Sequence, residues 1–166
     1  GHGAPLINEK EGYLIPYDGD PNYPSQTGYG LHGLYENLEK LDARTVTVFL
    51  DACFSGANRE EQMLLADARP IFIDIQKPSA RGITVFSASR DREISSAYPD
   101  KKHGLFTYFL LKGIQGDADK NSDNKITIGE LGEYVSSKVS ETAGELDREQ
   151  TPELQTDDEN RILIKF

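Results

Sequence analysis

Residues 46–56 read VTVFLDACFSG and hold the only cysteine among the chain's 166 residues. Residues 45–50, TVTVFL, are continuously β-branched or apolar, the pattern of a central strand covered on both faces. That run ends in Asp51, Ala52 and Cys53, and the chain then turns small and polar. A second run of this kind, GITVFS, lies at 82–87. Leu31, Leu34, Leu38 and Leu41 recur at helical spacing and predict an amphipathic helix over 31–41. Ile128, Leu131, Val135 and Val139 predict another. Residues 104–115, GLFTYFLLKGIQ, are apolar nearly all round and predict a buried helix. Strands alternating with helices argue for an α/β sandwich around a mostly parallel sheet.

The intervening stretches are less regular. Residues 12–24, GYLIPYDGDPNYP, combine a short apolar run with turn formers, as a strand end followed by a loop. Residues 57–80 are mixed and charged, and are expected to form a loop or a processed linker. Residues 141–160 carry eight acids against Arg148 alone, which predicts a solvated, loop-like stretch. The closing RILIKF is strand-like and suited to a sheet edge.

Bulk properties narrow the function. One domain spanning 1–166 is the expected count at this length. A formal charge of −10 argues against nucleic acid or an anionic membrane surface as partner. It suits a cationic substrate or a divalent metal better. A lone cysteine cannot form an internal disulfide, which fits a reducing, cytoplasmic setting. No run has the length of a membrane span, and no signal-peptide core is visible. The opening Gly1-His2-Gly3-Ala4-Pro5 has no methionine and no lead-in element, as in a tag scar or a piece of a longer protein.

A parallel core strand over 45–53 would present Cys53 at its carboxyl end, where crevices form in open α/β sheets. Small residues around it (Ala52, Ser55, Gly56) would admit a substrate. The competing reading is a buried thiol that fills space. Asp51, two residues earlier on the same side and roughly 6–7 Å away, disfavours a thiolate and needs a partner of its own. That partner is either a cation delivered by substrate or a set of loop amides. A cysteine nucleophile also needs an imidazole. His32 sits within a helix and His103 precedes one, whereas His2 lies between two glycines that allow close backbone approach.

His2-Gly3, an interval of about fifty residues, and Asp51-Ala52-Cys53-Phe54-Ser55-Gly56 after an apolar strand resemble the caspase-like cysteine peptidases. DACFSG is closer to metacaspases and their bacterial relatives than to animal caspases, and HGLFTYFLLKGIQGDAD at 103–119 is similar to a helix segment of bacterial members. The resemblance implies a three-layer αβα sandwich whose N-terminal strands, including the one carrying the histidine, are missing from this chain. It implies Cys53 as nucleophile, His2 as general acid/base, and the Cys53 and Gly3 amides as oxyanion donors. Asp51 would line a pocket for Arg or Lys, and Ser87, Ala88 and Ser89 would pair with substrate backbone by strand addition. The implied partners are peptides or proteins with basic residues, together with the missing N-terminal segment. Arg59, Arg69, Lys77 and Arg81 are candidate self-cleavage sites. Rival readings are a gingipain-, clostripain- or separase-like peptidase, and an inactive module that binds calcium or protein partners.

A second constellation lies at 117–131, DADKNSDNKITIGEL. Counted from Asp119, a twelve-residue window places Asp119, Asn121 and Asp123 at positions 1, 3 and 5, Lys125 at 7, Thr127 at 9 and Glu130 at 12. This is the EF-hand pattern for Ca²⁺, with Asn124 where glycine belongs. Asparagine is the best substitute in the left-handed conformation required there. The competing reading is a polar turn that joins two helices and caps the second. Catalysis itself requires no cofactor.

Overall fold

The computed structural model of the protein describes residues 1–6, 9–54, 82–90, 93 and 95–166. In chain order the elements are β1 (His2–Leu6), β2 (Glu11–Ile15), α1 (Pro24–Thr27), β3 (Tyr29–Gly30), α2 (Leu31–Glu39), β4 (Val46–Leu50), β5 (Ile83–Ser87), β6 (Ala97–Tyr98), β7 (His103–Gly104), α3 (Leu105–Lys112), β8 (Lys125–Thr127), α4 (Ile128–Glu145), β9 (Glu153–Gln155) and β10 (Ile162–Lys165). The expected linker at 57–80 and its candidate cleavage sites lie outside the described residues.

The two β-branched runs pair in parallel from Val46↔Ile83 to Leu50↔Ser87. Because side chains alternate across a strand, β5 feeds two cores. Ile83 and Val85 join Leu31 and Tyr35 of α2 on one face. Phe86 joins Leu105, Phe106 and Leu110 of α3 and Leu131, Val135 and Val139 of α4 on the other. Helices therefore cover both faces, giving the expected αβα layering. Each fully buried Leu, Val or Phe contributes roughly 1.5–3 kcal/mol of transfer free energy, so the α3–α4 side carries most of the driving force.

Several expectations need correction. Among the described residues β4 is an edge of the β4-β5-β9 sheet, and its Phe49 is 38% exposed while Phe86, stacked on it, is 2% exposed. The helix predicted at 104–115 is regular only to Lys112 and passes into a wider turn over Gly113–Asp117. One of its faces meets water, with Leu111 exposed.

The acidic stretch 141–160 is not a loop throughout. Helix α4 continues to Glu145, Gln150 is buried, and β9 adds antiparallel to β5 from Val85↔Gln155 to Ser87↔Glu153. Backbone pairing and the packing of Leu154 decide this segment, while most of its acids face solvent. A Cβ at Gly132 would stand 3.4 Å from the Leu154 Cβ, so α4 and β9 pack closely here. The final strand, β10, pairs with β8. No helix among the described residues is long and apolar enough to cross a membrane.

Candidate active site

The carboxyl end of β4 meets β1 side by side. The Gly1 nitrogen lies 2.6 Å from the Asp51 carbonyl oxygen, and His2 pairs in parallel with Cys53. This pairing brings together two residues fifty-one positions apart in the chain. Gly3 makes the approach possible. A Cβ there would stand 2.6 Å from the Cys53 carbonyl oxygen and 2.6 Å from the Phe54 ring. Distances that short are forbidden to any side chain, so β1 can lie this close only with glycine at position 3. His2 is exposed, whereas Cys53 is 2% exposed.

Ser95 closes over the cysteine. Its backbone N–H donates to Cys53 Sγ at 2.8 Å, and the thiol faces the Ser95 carbonyl at 3.7 Å. The same residue's hydroxyl donates to Asp51 Oδ1 at 2.7 Å, and the Thr107 hydroxyl of α3 donates to Asp51 Oδ2 at 2.5 Å. The carboxylate that the sequence left in want of a partner thus has hydroxyl donors from Ser95 and from α3. It also opens on a cleft of about 610 Å³ whose walls include Tyr98, Pro99, Lys102, His103 and Thr107. Asp51 thus places a carboxylate on the lining of this cleft.

Ser87, Ala88 and Ser89 end β5 beside this site, but their backbone is largely committed within the chain. Ser87 is registered between Leu50 and Glu153. The Ala88 N–H donates to Leu50 at 2.9 Å, and its carbonyl accepts from Gln150 Nε2 at 2.8 Å. Ala88, expected to offer its backbone to substrate, instead fastens the sheet. The Ser89 hydroxyl donates to the Glu93 carbonyl at 3.2 Å.

The loop at 119–130 has the expected backbone. Asn124 takes the left-handed conformation at φ 61°, and Lys125–Thr127 forms β8 against β10. Its side chains serve the backbone. Asp119 accepts from the Asp123 and Asn124 amides, Asn121 from Asp123, and Asp123 from Lys125. The Lys125 ammonium also lies 3.5 Å from Asp123. Glu130 accepts from the Thr127 N–H at 2.9 Å while Thr127 accepts from the Glu130 N–H, a capping box that starts α4. Among the described residues no three His, Cys, Asp or Glu side chains group to hold a metal ion. Glu130, at position 12 of that pattern, is engaged in this cap.

Ser95, Thr107 and Gln150 escaped the sequence reading. Thr107 left one trace, a hydroxyl near the start of the largely apolar helix α3. Ser95 and Gln150 left none, because their partners lie 42 to 62 residues away.

In comparison with known families, the caspase domain of the C14 peptidases matches residues 1–162. No curated protein matches the chain.

Proposed function

The chain belongs to the caspase-domain family of cysteine peptidases, and we propose that it is an endopeptidase working through a His2–Cys53 dyad on bonds that follow Arg or Lys. The observation that carries this reading is the juxtaposition of His2 and Cys53 in neighbouring strands, with Asp51 on the wall of the adjoining cleft. The Cys53 sulfur attacks the scissile carbonyl carbon, and the carbonyl oxygen takes the negative charge. The Cys53 and Gly3 amides are the donors assigned to that oxyanion. His2 holds the thiol proton and returns it to the leaving amine, breaking the peptide bond and leaving an acyl-Cys53. Water, losing a proton to His2, then releases the acid and regenerates the thiol.

Asp51 confers the basic preference. A substrate guanidinium or ammonium would give Asp51 a bond in which both partners are ionised, beside the Ser95 and Thr107 hydroxyls. Because Ala88 is committed, strand addition to this edge falls to Ser89. The closest rival is an inactive module of the same fold. An acyloxymethyl ketone probe carrying an Arg peptide separates the two. Labelling of Cys53 that disappears in His2→Ala, with Asp51→Asn lowering kcat/KM on Arg substrates by about 100-fold or more, supports the enzyme. Absence of labelling and of hydrolysis in the wild-type protein favours the inactive module.

A further inference from the structure

Gln150 is 1% exposed, and its carboxamide spans two parts of the chain that are remote in sequence. Its Oε1 accepts from the Ser96 N–H at 2.7 Å, and its Nε2 donates to the Ala88 carbonyl at 2.8 Å. The orientation of the amide is fixed by its partners, since an N–H can only donate and a carbonyl can only accept. Its own carbonyl accepts from the Ser140 hydroxyl at 3.1 Å, which ties it to α4. The next residue, Thr151, donates its N–H to the Glu93 carboxylate. Ser96 is held a second time, because its carbonyl accepts from the Leu105 N–H at 2.9 Å.

Ser95 is one peptide away from that doubly held residue. Its N–H points at Cys53 Sγ and its hydroxyl at Asp51. We propose that Gln150 is a positioning residue of the peptidase site, anchoring Ser96 to the end of β5 so that the Ser95 N–H stays on the Cys53 sulfur and the Ser95 hydroxyl on Asp51. The inference rests on the reading of Cys53 as nucleophile. An N–H aimed at the sulfur stabilises negative charge there, and the thiolate is the attacking form. The position uses one donor and one acceptor on a single side chain. Leucine can neither accept nor donate, and a glutamate carboxylate cannot donate to Ala88.

The test is the rate of Cys53 alkylation by iodoacetamide as a function of pH, in the wild-type protein and in Gln150→Leu, with Cys53 followed by peptide mass spectrometry. The expected result is an upward shift of the midpoint by about one pH unit. Alkylation below the midpoint then slows about tenfold, while the plateau rate at high pH stays within about twofold. An unshifted midpoint in a folded variant overturns the proposal. Should Gln150→Leu fail to fold, amide hydrogen exchange on the wild-type protein decides. Ser95 and Ser96 amides protected as strongly as those of β5 support the anchor, and exchange at the rate of exposed loops overturns it. Because alkylation needs no substrate, loss of the peptidase reading (no labelling by the Arg probe) and loss of this inference (no midpoint shift) are separate outcomes.

Discussion

Asp51 and the acids of residues 119–130 present the same functional group, yet the chain holds them in opposite ways. Asp51 takes hydroxyl donors from Ser95 and Thr107, 44 and 56 residues away. Asp119, Asp123 and Glu130 bond amides within five residues of themselves. The local set forms wherever the spacing of Asp, Asn and Thr is right, since such side chains close turns on their own backbone. The long-range set exists only after β1, β4, α3 and the segment at 95–96 have docked. A carboxylate satisfied locally caps a helix. One satisfied from a distance, on the wall of a cleft, can be set aside for a substrate.

The comparison is open to attack from its largest expected effect downward. Gly3→Ala puts a methyl group into the Cys53 carbonyl and the Phe54 ring, so β1 must move and His2 with it. A displacement of about 1 Å at a reacting pair costs on the order of 100-fold in rate, measured as kcat/KM on an Arg peptide. Activity within threefold of wild type would mean that the site tolerates loose docking. Thr107→Val removes a hydroxyl donor from an ionised carboxylate, an interaction worth about 1.5–3 kcal/mol. The expected outcome is a rise in KM for Arg substrates of about tenfold or more with kcat little changed, restored by Thr107→Ser. Equal losses in KM and kcat on basic and neutral substrates would assign Thr107 to packing instead.

On the local side, Thr127→Ala deletes one half of the capping box and is expected to cost about 1 kcal/mol. That lowers Tm by about 2–4 °C for a chain of this size, without altering kcat/KM on any substrate. Added Ca²⁺ should leave Tm unchanged. A rise that Glu130→Gln abolishes would put these carboxylates on a metal and break the contrast. The smallest effect belongs to Tyr134, near the same loop. Burial, reinforced by Asp117, pushes its phenol up to about 12. The folded state therefore keeps the phenolic proton to higher pH than the unfolded chain does. The stability this contributes is complete below about pH 10 and is lost as pH rises toward 12. Denaturant melts across that window should fall less steeply in Tyr134→Phe.

The two sides of the comparison also divide what could be read in advance. The apolar runs at β4 and β5, the heptad-like spacing of α4 and the left-handed Asn124 all follow from neighbours within a few residues, and all were legible. The acidic stretch before β9 was misread because its charges are local and visible, while its strand pairing with β5 and the burial of Gln150 are neither. Phe49 and Phe86 occupy similar runs, and only the order of strands in the sheet makes one exposed and the other buried.

The sequence alone determined the two core strands, the amphipathic helices and the residue types of the site, because side-chain periodicity and the His-Gly and Asp-Ala-Cys pairs are properties of the chain itself. Tertiary structure decided what those residues touch. It placed Gly3 against the Cys53 carbonyl, closed Ser95 over the sulfur, and gave Asp51 its hydroxyl donors. Hydrogen bonds reach about 3 Å, and groups 42 to 62 residues apart come within that reach only when the layers pack.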